Sequence, residues 1–336
     1  MRSRSSWTTK KTKMGMEKPL EFEQPIAALE EELSNLRSKA EDQNLDLGVE
    51  MEALQEKLAE TRSKIYENLT PWQRVQIARH TNRPFFLDYL KLGFDEFCEL
   101  HGDRIIGDDR AMPAGLARIG SHRCVVVGHQ KGRNTKENLE HNFGSAHPEG
   151  YRKAMRLMEL AQRFNLPIVA MIDTPGAFPG IGAEERNIAE AIAANLRDMM
   201  KLSVPVIAIV LGEGGSGGAL GIGIANRVLM MENSYYSVIS PEGCAAILWK
   251  HRKHAPEAAE AMKLAAPDLK ELGLIDGVIE EPQGGAHHDH LASAKSLREV
   301  LLSHLDELSK KSSEELRDER YQKFRSFGVW QGEELA

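Results

Sequence analysis

Between residues 26 and 69 the apolar positions recur at helical spacing. Leu29, Leu33 and Leu36 stand at i, i+4 and i+7, and Met51, Leu54, Leu58 and Ile65 resume the stripe after a break near Asn44 to Gly48. The other positions of both segments are largely charged. The pattern predicts a helical hairpin that packs on a core or a partner, since a free coiled coil needs a longer repeat.

From about Cys124 the period changes. Apolar, β-branched runs at 124–128, 167–172, 204–211, 228–231 and 235–239 read as strands. Between them the helical period returns at 148–164, with Ala154, Leu157, Ala161 and Phe164 facing inward and Pro148 in the first turn. It returns again at 183–202, with Ile188, Ala191, Ile192 and Met199 on one face, and at 256–272 and 291–308. Residues 317–336 are mostly polar and are expected to dock or fray. Strands alternating with helices predict an α/β fold with mainly parallel strands. The segment 131–147, with Lys131, Arg133, Lys136, His141 and His147, joins a strand to a helix, where α/β proteins place functional loops. A solvated polar loop is the plain alternative.

Composition narrows the class. The chain has 336 residues, 41% hydrophobic and 28% charged, which fits a globular protein with a sizeable core. A net charge of −7 argues against a general nucleic-acid binder. Cys98, Cys124 and Cys244 are far apart and lack CxxC spacing, so neither a disulfide framework nor a cysteine zinc site is expected, and a reducing compartment fits. No apolar run approaches the ~20 residues of a membrane helix. Residues 1–16 carry Arg2, Arg4, Lys10, Lys11 and Lys13 without an acid. They read as a disordered basic tail or an upstream start, with a transit peptide as the alternative.

The richest segment is the run from Gly212 to Gly223. Five glycines in the seven residues 212–218 follow an apolar strand, so no Cβ keeps a ligand from the backbone there. A helix starting within the run would aim free N–H groups at that ligand. Three spellings overlap. Gly212-x-Gly214-x-x-Gly217, with Glu232 about 20 residues on, matches a dinucleotide fingerprint. Gly214-x-Ser216-x-Gly218 matches a nucleophile elbow. Gly212 to Gly217 begins a P-loop, but Gly218 and Ala219 replace its Lys and Ser/Thr, which excludes a Walker-type site. The residues alone leave open close packing, a dinucleotide site, an oxyanion or thioester site, and a serine hydrolase.

A second constellation, residues 172–186, also follows a strand and opens a helix. Its prolines stiffen the loop and its glycines expose amides. Glu184 and Glu185 suit the first helical turn by charge. Ala261-Met262-Lys263-Leu264 spells like a biotin-attachment site, but it lies in a helical stretch where an exposed hairpin tip is needed. His287-His288-Asp289-His290 is expected in a solvated loop, without a second ligand cluster to make a metal site.

Taken together, these residues resemble the alpha subunits of bacterial-type acetyl-CoA carboxylase carboxyltransferases. The likeness rests on Phe22-Glu23-Gln24-Pro25-Ile26, Glu99-Leu100-His101-Gly102-Asp103-Arg104, Gly128-His129-Gln130-Lys131-Gly132-Arg133 and Pro148-Glu149-Gly150-Tyr151-Arg152-Lys153-Ala154. It continues through residues 172–186 and 212–220, Tyr236 to Cys244, Leu274-Ile275-Asp276 and Gly284-Gly285-Ala286-His287, and spans roughly residues 20–328. The basic extension before Met14 departs from it.

The resemblance implies a crotonase-like (ClpP/crotonase) superhelix of ββα units at 71–320, after a basic tail at 1–16 and a helical hairpin at 17–70, and before a tail at 321–336. A doubly wound reading of the alternation is then only partly right. It implies carboxyl transfer from carboxybiotin to acetyl-CoA, giving malonyl-CoA for fatty acid synthesis, by an α2β2 assembly in the cytoplasm. The beta subunit is expected to carry a zinc ribbon and most of the acetyl-CoA site, and this chain no metal. Biotin rides on a separate biotin carboxyl carrier protein, charged by an ATP-using biotin carboxylase. Gly217 and Gly218, with Gly214 and Gly215 beside them, are expected to supply oxyanion amides. Phe178, Pro179, Gly180 and Ile181 are expected to form the adjoining wall, with Lys131 as a substrate contact. Replacing Gly218 by valine is expected to remove transfer and leave the fold intact.

Overall fold

A computed structural model describes residues 19–43 and 47–328. The predicted basic tail, part of the break near residues 44–48 and the last eight residues lie outside the described residues. The chain divides into two compact units, residues 1–67 and 68–336. In the first, α1 (Gln24–Gln43) and α2 (Gly48–Tyr66) bring the predicted leucines together. Leu29, Leu33 and Leu54 are buried, with Leu36, Met51 and Leu58 packed against them. Arg62 donates to Glu30 at 2.6 Å, and the Tyr66 hydroxyl donates to Glu23.

The second unit is built on eight strands: β1 (Glu96–Glu99), β2 (Ala114–Ile119), β3 (His122–Gly128), β4 (Ile168–Thr174), β5 (Val206–Gly215), β6 (Arg227–Met231), β7 (Tyr235–Ser237) and β8 (Gly277–Ile279). Their order is β1-β2-β3-β4-β5-β6-β8, and β7 pairs with the far end of β5. β1, β2 and β3 are antiparallel; every later pair of strands is parallel. The mainly parallel expectation therefore holds from β3 onward. β1, β2 and β8 escape the predicted runs: β1 and β8 are short, β1 is largely exposed on the sheet edge, and β2 is broken by the exposed Leu116 and half-buried Arg118.

The helices of this unit are α3 (Pro71–Ala78), α4 (Phe86–Gly93), α5 (Thr135–Glu140), α6 (Pro148–Arg163), α7 (Ile181–Glu185) and α8 (Ile188–Met199). They continue with α9 (Ser216–Leu220), α10 (Pro241–Leu248), α11 (Ala255–Met262), α12 (Ala266–Glu271), α13 (His290–Leu308) and α14 (Ser313–Arg325). Alternate residues of each central strand enter different cores. Val125, Val127, Ile168, Ala170, Val206 and Ala208 meet α6 and α8; Cys124, Val126, Val169, Met171, Ile207 and Ile209 meet α4 and α13. Burial on both faces is why these strands read as unbroken apolar runs.

Several expectations need correcting. α6 ends at Arg163, which leaves Phe164 68% exposed instead of inward. The helix predicted at 183–202 is two, α7 and α8, broken at Asn187 with φ +63°. The helix predicted at 256–272 is also two, broken at Lys263 with φ +49°. The histidine run is a loop as expected, with His288 and Asp289 exposed, but His287 is buried, and the Asp289 carboxylate accepts the Ala292 N–H to cap α13. The C-terminal segment holds α14 as far as Arg325, so a tail starting at 321 begins inside a helix. Within α14, the buried Arg320 donates to the carbonyls of Met199, Leu202 and Val204 and to Asn226 Oδ1.

Candidate functional site

The apolar strand predicted at 204–211 does not stop at the glycines. β5 continues to Gly215, because Gly214 and Gly215 fit places closed to any side chain. Gly214 pairs with Thr174 of β4 and Tyr236 of β7, and Gly215 with Ser237. A Cβ on Gly214 would stand 2.8 Å from the Tyr236 ring, and one on Gly215 would stand 2.2 Å from the Pro175 carbonyl oxygen. Both glycines serve close backbone packing and lie in the ladder.

The chain turns at Ser216, whose φ of +53° is left-handed, and enters the five-residue α9. The first N–H groups of a helix have no partner within it. Ser216 is exposed, Gly217 half-buried and Gly218 buried. Facing this turn is the loop after β4. There the Thr174 hydroxyl accepts the Gly176 N–H at 3.0 Å, and the Phe178 N–H donates to the Ala146 carbonyl at 3.0 Å. The Phe178 ring lies 4.1 Å from that of His147, centroid to centroid.

These two turns meet at Gly218 and together line one cleft of about 980 Å³. Ser216, Gly217 and Gly218 line it from one turn; Pro175, Gly176, Ala177, Phe178 and Pro179 line it from the other. Glu184, Ile188, Ile192, Val238, Ile239, Ser240, Arg79 and Glu213 complete the lining. A Cβ on Gly217 would meet only Ile192, at 3.8 Å, so this glycine holds open space within the cleft. Gly218 is different: its Cβ would fall 2.5 Å from the Ala177 nitrogen and 2.6 Å from the Gly176 carbonyl carbon. Gly218→Val therefore cannot leave the fold intact, contrary to the expectation from sequence.

Of the predicted site residues, the cleft gathers Gly217, Gly218, Phe178 and Pro179. Gly180 is the N-cap of α7, and Ile181, 79% exposed, is its first residue; neither lines the cleft. Lys131 sits behind the wall. Its Nζ donates to Asp173 Oδ1 at 2.6 Å and to Glu213 Oε2 at 2.7 Å. Burial alone would lower the Lys131 pKa, but the two carboxylates outweigh it and keep the ammonium charged. Burial pushes the Glu213 carboxyl up, yet Lys131 and Arg79 hold it at about 2.

Four groups at this wall had no signal that singled them out: Arg79, Glu213, Tyr235 and Glu242. Arg79 Nε donates to Glu213 Oε1 at 2.8 Å, and its Nη1 to Glu242 Oε1 at 2.5 Å. The Tyr235 hydroxyl donates to Glu213 Oε1 at 2.6 Å. Glu213 was readable only as part of the glycine run, and Arg79 caps the C-terminus of α3, more than a hundred residues earlier.

The geometry also separates the open readings. Among the described residues the cleft lining contains no histidine, so Ser216 lacks the base that a serine nucleophile needs. The dinucleotide reading wants a free carboxylate at Glu232, but its Oε2 accepts the Glu281 N–H at 3.1 Å, and α9 is too short to be the fingerprint helix. What remains is a pair of glycine-bearing turns that present backbone to a cleft.

The acetyl co-enzyme A carboxylase carboxyltransferase-like family model matches residues 19–328. The chain is 54% identical over 312 residues to the acetyl-coenzyme A carboxylase carboxyl transferase subunit alpha of Thermus thermophilus, covering 93% of this chain and 99% of that one. It is 56% identical over 313 residues to the subunit of the same name from Syntrophotalea carbinolica, covering 93% and 98%. Among solved structures it resembles transcarboxylase 12S, with a TM-score of 0.57 at 19% identity, covering 73% of this chain and 46% of that one. It also resembles a chain of a Pseudomonas malonate decarboxylase hetero-tetramer, with a TM-score of 0.57 at 14% identity, covering 71% and 94%. The likeness to these structures makes the fold crotonase-like, as the motifs implied.

Proposed function

The chain belongs to the acetyl-CoA carboxylase carboxyltransferase family, among its alpha subunits, and we propose that with a beta partner it transfers the carboxyl group of carboxybiotin to acetyl-CoA. The product is malonyl-CoA. The observation that carries this reading is the cleft lined by Gly217, Gly218 and the loop 175–179, which offers backbone and, among the described residues, no histidine beside Ser216.

The reaction suits such a lining. Negative charge develops on the ureido oxygen as the carboxyl group departs and on the thioester oxygen as its enolate forms. Fixed N–H groups stabilise such charge without changing protonation, and each lost donor costs ~2.7–4 kcal/mol. Once free of its carboxyl group, the ureido nitrogen supplies the base for the acetyl methyl proton, so this chain needs none. Gly217 and Gly218 contribute amides at the start of α9, and Phe178 and Pro179 line the cleft from the other turn.

A shared site is supported by length: the chain covers 46% of transcarboxylase 12S, which was solved with methylmalonyl-coenzyme A and methylmalonic acid. The second half of the site, its zinc ribbon and most contacts to acetyl-CoA belong on the beta chain, in an α2β2 assembly. Biotin arrives on its carrier protein after charging by biotin carboxylase. No helix among the described residues is long and apolar enough to cross a membrane.

Co-expression with the beta chain tests the reading. The pair should decarboxylate malonyl-CoA in the presence of free biotin, while either chain alone stays inactive. An assembled pair without this activity would overturn the proposal.

A further inference from the structure

β4 and β5 lose register where they approach the cleft. Ile172 pairs with Val210, but Thr174 pairs with Gly214. One residue of β4, Asp173, thus faces three of β5, residues 211–213. Bulges of this kind bend a strand and re-aim the residues beyond it. On each strand those residues form one wall of the cleft: Pro175 lies two residues after Asp173, and Ser216 three after Glu213.

Side chains hold the slip together. Asp173 Oδ1 accepts the Glu213 N–H at 3.0 Å, replacing a ladder bond. Lys131 then joins the two acids at 2.6 and 2.7 Å, from the loop after β3. Its stem is gripped as well, since a Cβ on Gly144 would stand 2.8 Å from Lys131 Cγ. Beyond Glu213 the charges continue to alternate through Arg79 to Glu242 on α10. The order Asp173, Lys131, Glu213, Arg79, Glu242 spans β4, the loop, β5, the C-cap of α3 and α10.

We propose that Lys131 is a positioning residue for carboxyl transfer: it clamps Asp173 to Glu213 across the β4–β5 slip and so fixes the spacing of the two cleft walls. This rests on the proposed function of the cleft. Lys131 is not in the cleft lining, and its ammonium bonds only Asp173 and, of the lining residues, Glu213, so its effect runs through the two acids. Without it, two buried carboxylates face each other, and like charges so close cannot both stay ionised. A proton then has to replace the ammonium. The other charged or titratable groups around the cluster are Arg79, Tyr235 and Glu242 on the Glu213 side, Arg83, Glu281 and Tyr89 near Asp173, and His129 beside Lys131. Burial holds the His129 pKa down at about 3, so it stays neutral across the range tested.

The test uses the assembled complex with the beta chain, assayed by malonyl-CoA decarboxylation. Lys131→Met should lower kcat about 10²-fold near neutral or higher pH, the scale of a ~1 Å misplacement, with KM little changed. Activity should recover as the pH falls and the two acids share a proton, a descending limb that wild type lacks. Lys131→Met combined with Asp173→Asn should restore kcat at least ~10-fold and flatten the pH profile, because one neutral amide keeps the acceptor for the Glu213 N–H. Should Lys131→Met fail to assemble, the double variant alone decides: activity with a flat profile supports the clamp, and inactivity in an assembled complex overturns it. Full activity of Lys131→Met, or a pH-independent loss that Asp173→Asn does not relieve, also overturns it. If the wild-type complex does not decarboxylate malonyl-CoA, the proposed function fails first and separately.

Discussion

Gly218 meets Ala177 backbone to backbone: a Cβ on the glycine would stand 2.5 Å from the alanine nitrogen. Its neighbour Gly217 has only Ile192 within reach, at 3.8 Å. Adjacent glycines thus do different work, one closing two turns together and the other keeping the cleft clear.

The pair predicts opposite outcomes. Gly218→Ala must push backbone apart and should destabilise the fold by about 1–3 kcal/mol, as overpacking does. Gly217→Ala should leave stability within about 0.5 kcal/mol while its methyl intrudes on the ligand. Transfer should then fall about 10²-fold. Thermal unfolding alongside malonyl-CoA decarboxylation separates the two, and full activity in Gly217→Ala would remove that residue from the site.

Ser216 offers a second discrimination. Its φ of +53° costs a residue with a Cβ ~1–2 kcal/mol, and glycine relieves that at ~0.5–1 kcal/mol of chain entropy. Ser216→Gly should therefore be as stable as wild type or slightly more so, with transfer retained. A nucleophilic serine predicts a loss of ~10⁶-fold instead. Steady-state rates of the complex decide between these outcomes.

The contrast between Gly217 and Gly218 also marks where sequence stops being readable. The central strands were legible because both faces are buried and each run is continuously apolar, as in residues 206–211. Motif order carried the family and pointed to both cleft walls. The helix breaks at Asn187 and Lys263 were not legible, since neither residue is a glycine or proline, the residues that punctuate a helix most strongly. From sequence Lys131 reads as a cation in a functional loop and, by resemblance, as a substrate contact. Its two acids lie 42 and 82 residues away, a pairing only the strand register creates.

Arg320 makes a stability prediction. It is buried, and its guanidinium donates to three carbonyls at 2.7–3.0 Å, those of Met199, Leu202 and Val204, at and beyond the C-terminal end of α8. A cation there also suits the helix dipole. Arg320→Met would strand those oxygens at ~1–3 kcal/mol each and should free α14 from the core. Limited proteolysis should then cut within residues 313–328 well before the rest of the chain. Lysine should rescue poorly, because a single ammonium cannot reproduce the planar fork. Equal protease resistance in Arg320→Met would show that α14 is held by its other contacts, the buried Leu316 and the Arg227–Glu319 and Lys323–Asp276 ion pairs.

The Arg83–Glu281 pair predicts how stability responds to acid. Both side chains are buried, Arg83 also donates to the Leu211 carbonyl at 2.7 and 2.8 Å, and the Glu281 carboxylate accepts the N–H groups of Asn233 and Ala286. Burial raises the Glu281 pKa, but the charge and hydrogen bonds of Arg83 overcome it and hold the carboxyl at about 2, against an ordinary value of 4.5. A carboxyl depressed in the folded state contributes stability that is complete above its unfolded pKa and lost as pH falls through its folded one. The window therefore runs from about pH 4.5 down to about 2, at ~1.4 kcal/mol per pH unit for each such group. Glu213, also held at about 2, adds to the same slope. Urea unfolding at stepped pH should show Glu281→Gln losing one group's share of that slope while starting less stable. Arg83→Met should be far worse, by about 3–5 kcal/mol near neutral pH, because it leaves a buried carboxylate without its cation. An unchanged acid slope in Glu281→Gln would mean that the pair does not stay ionised in the folded chain.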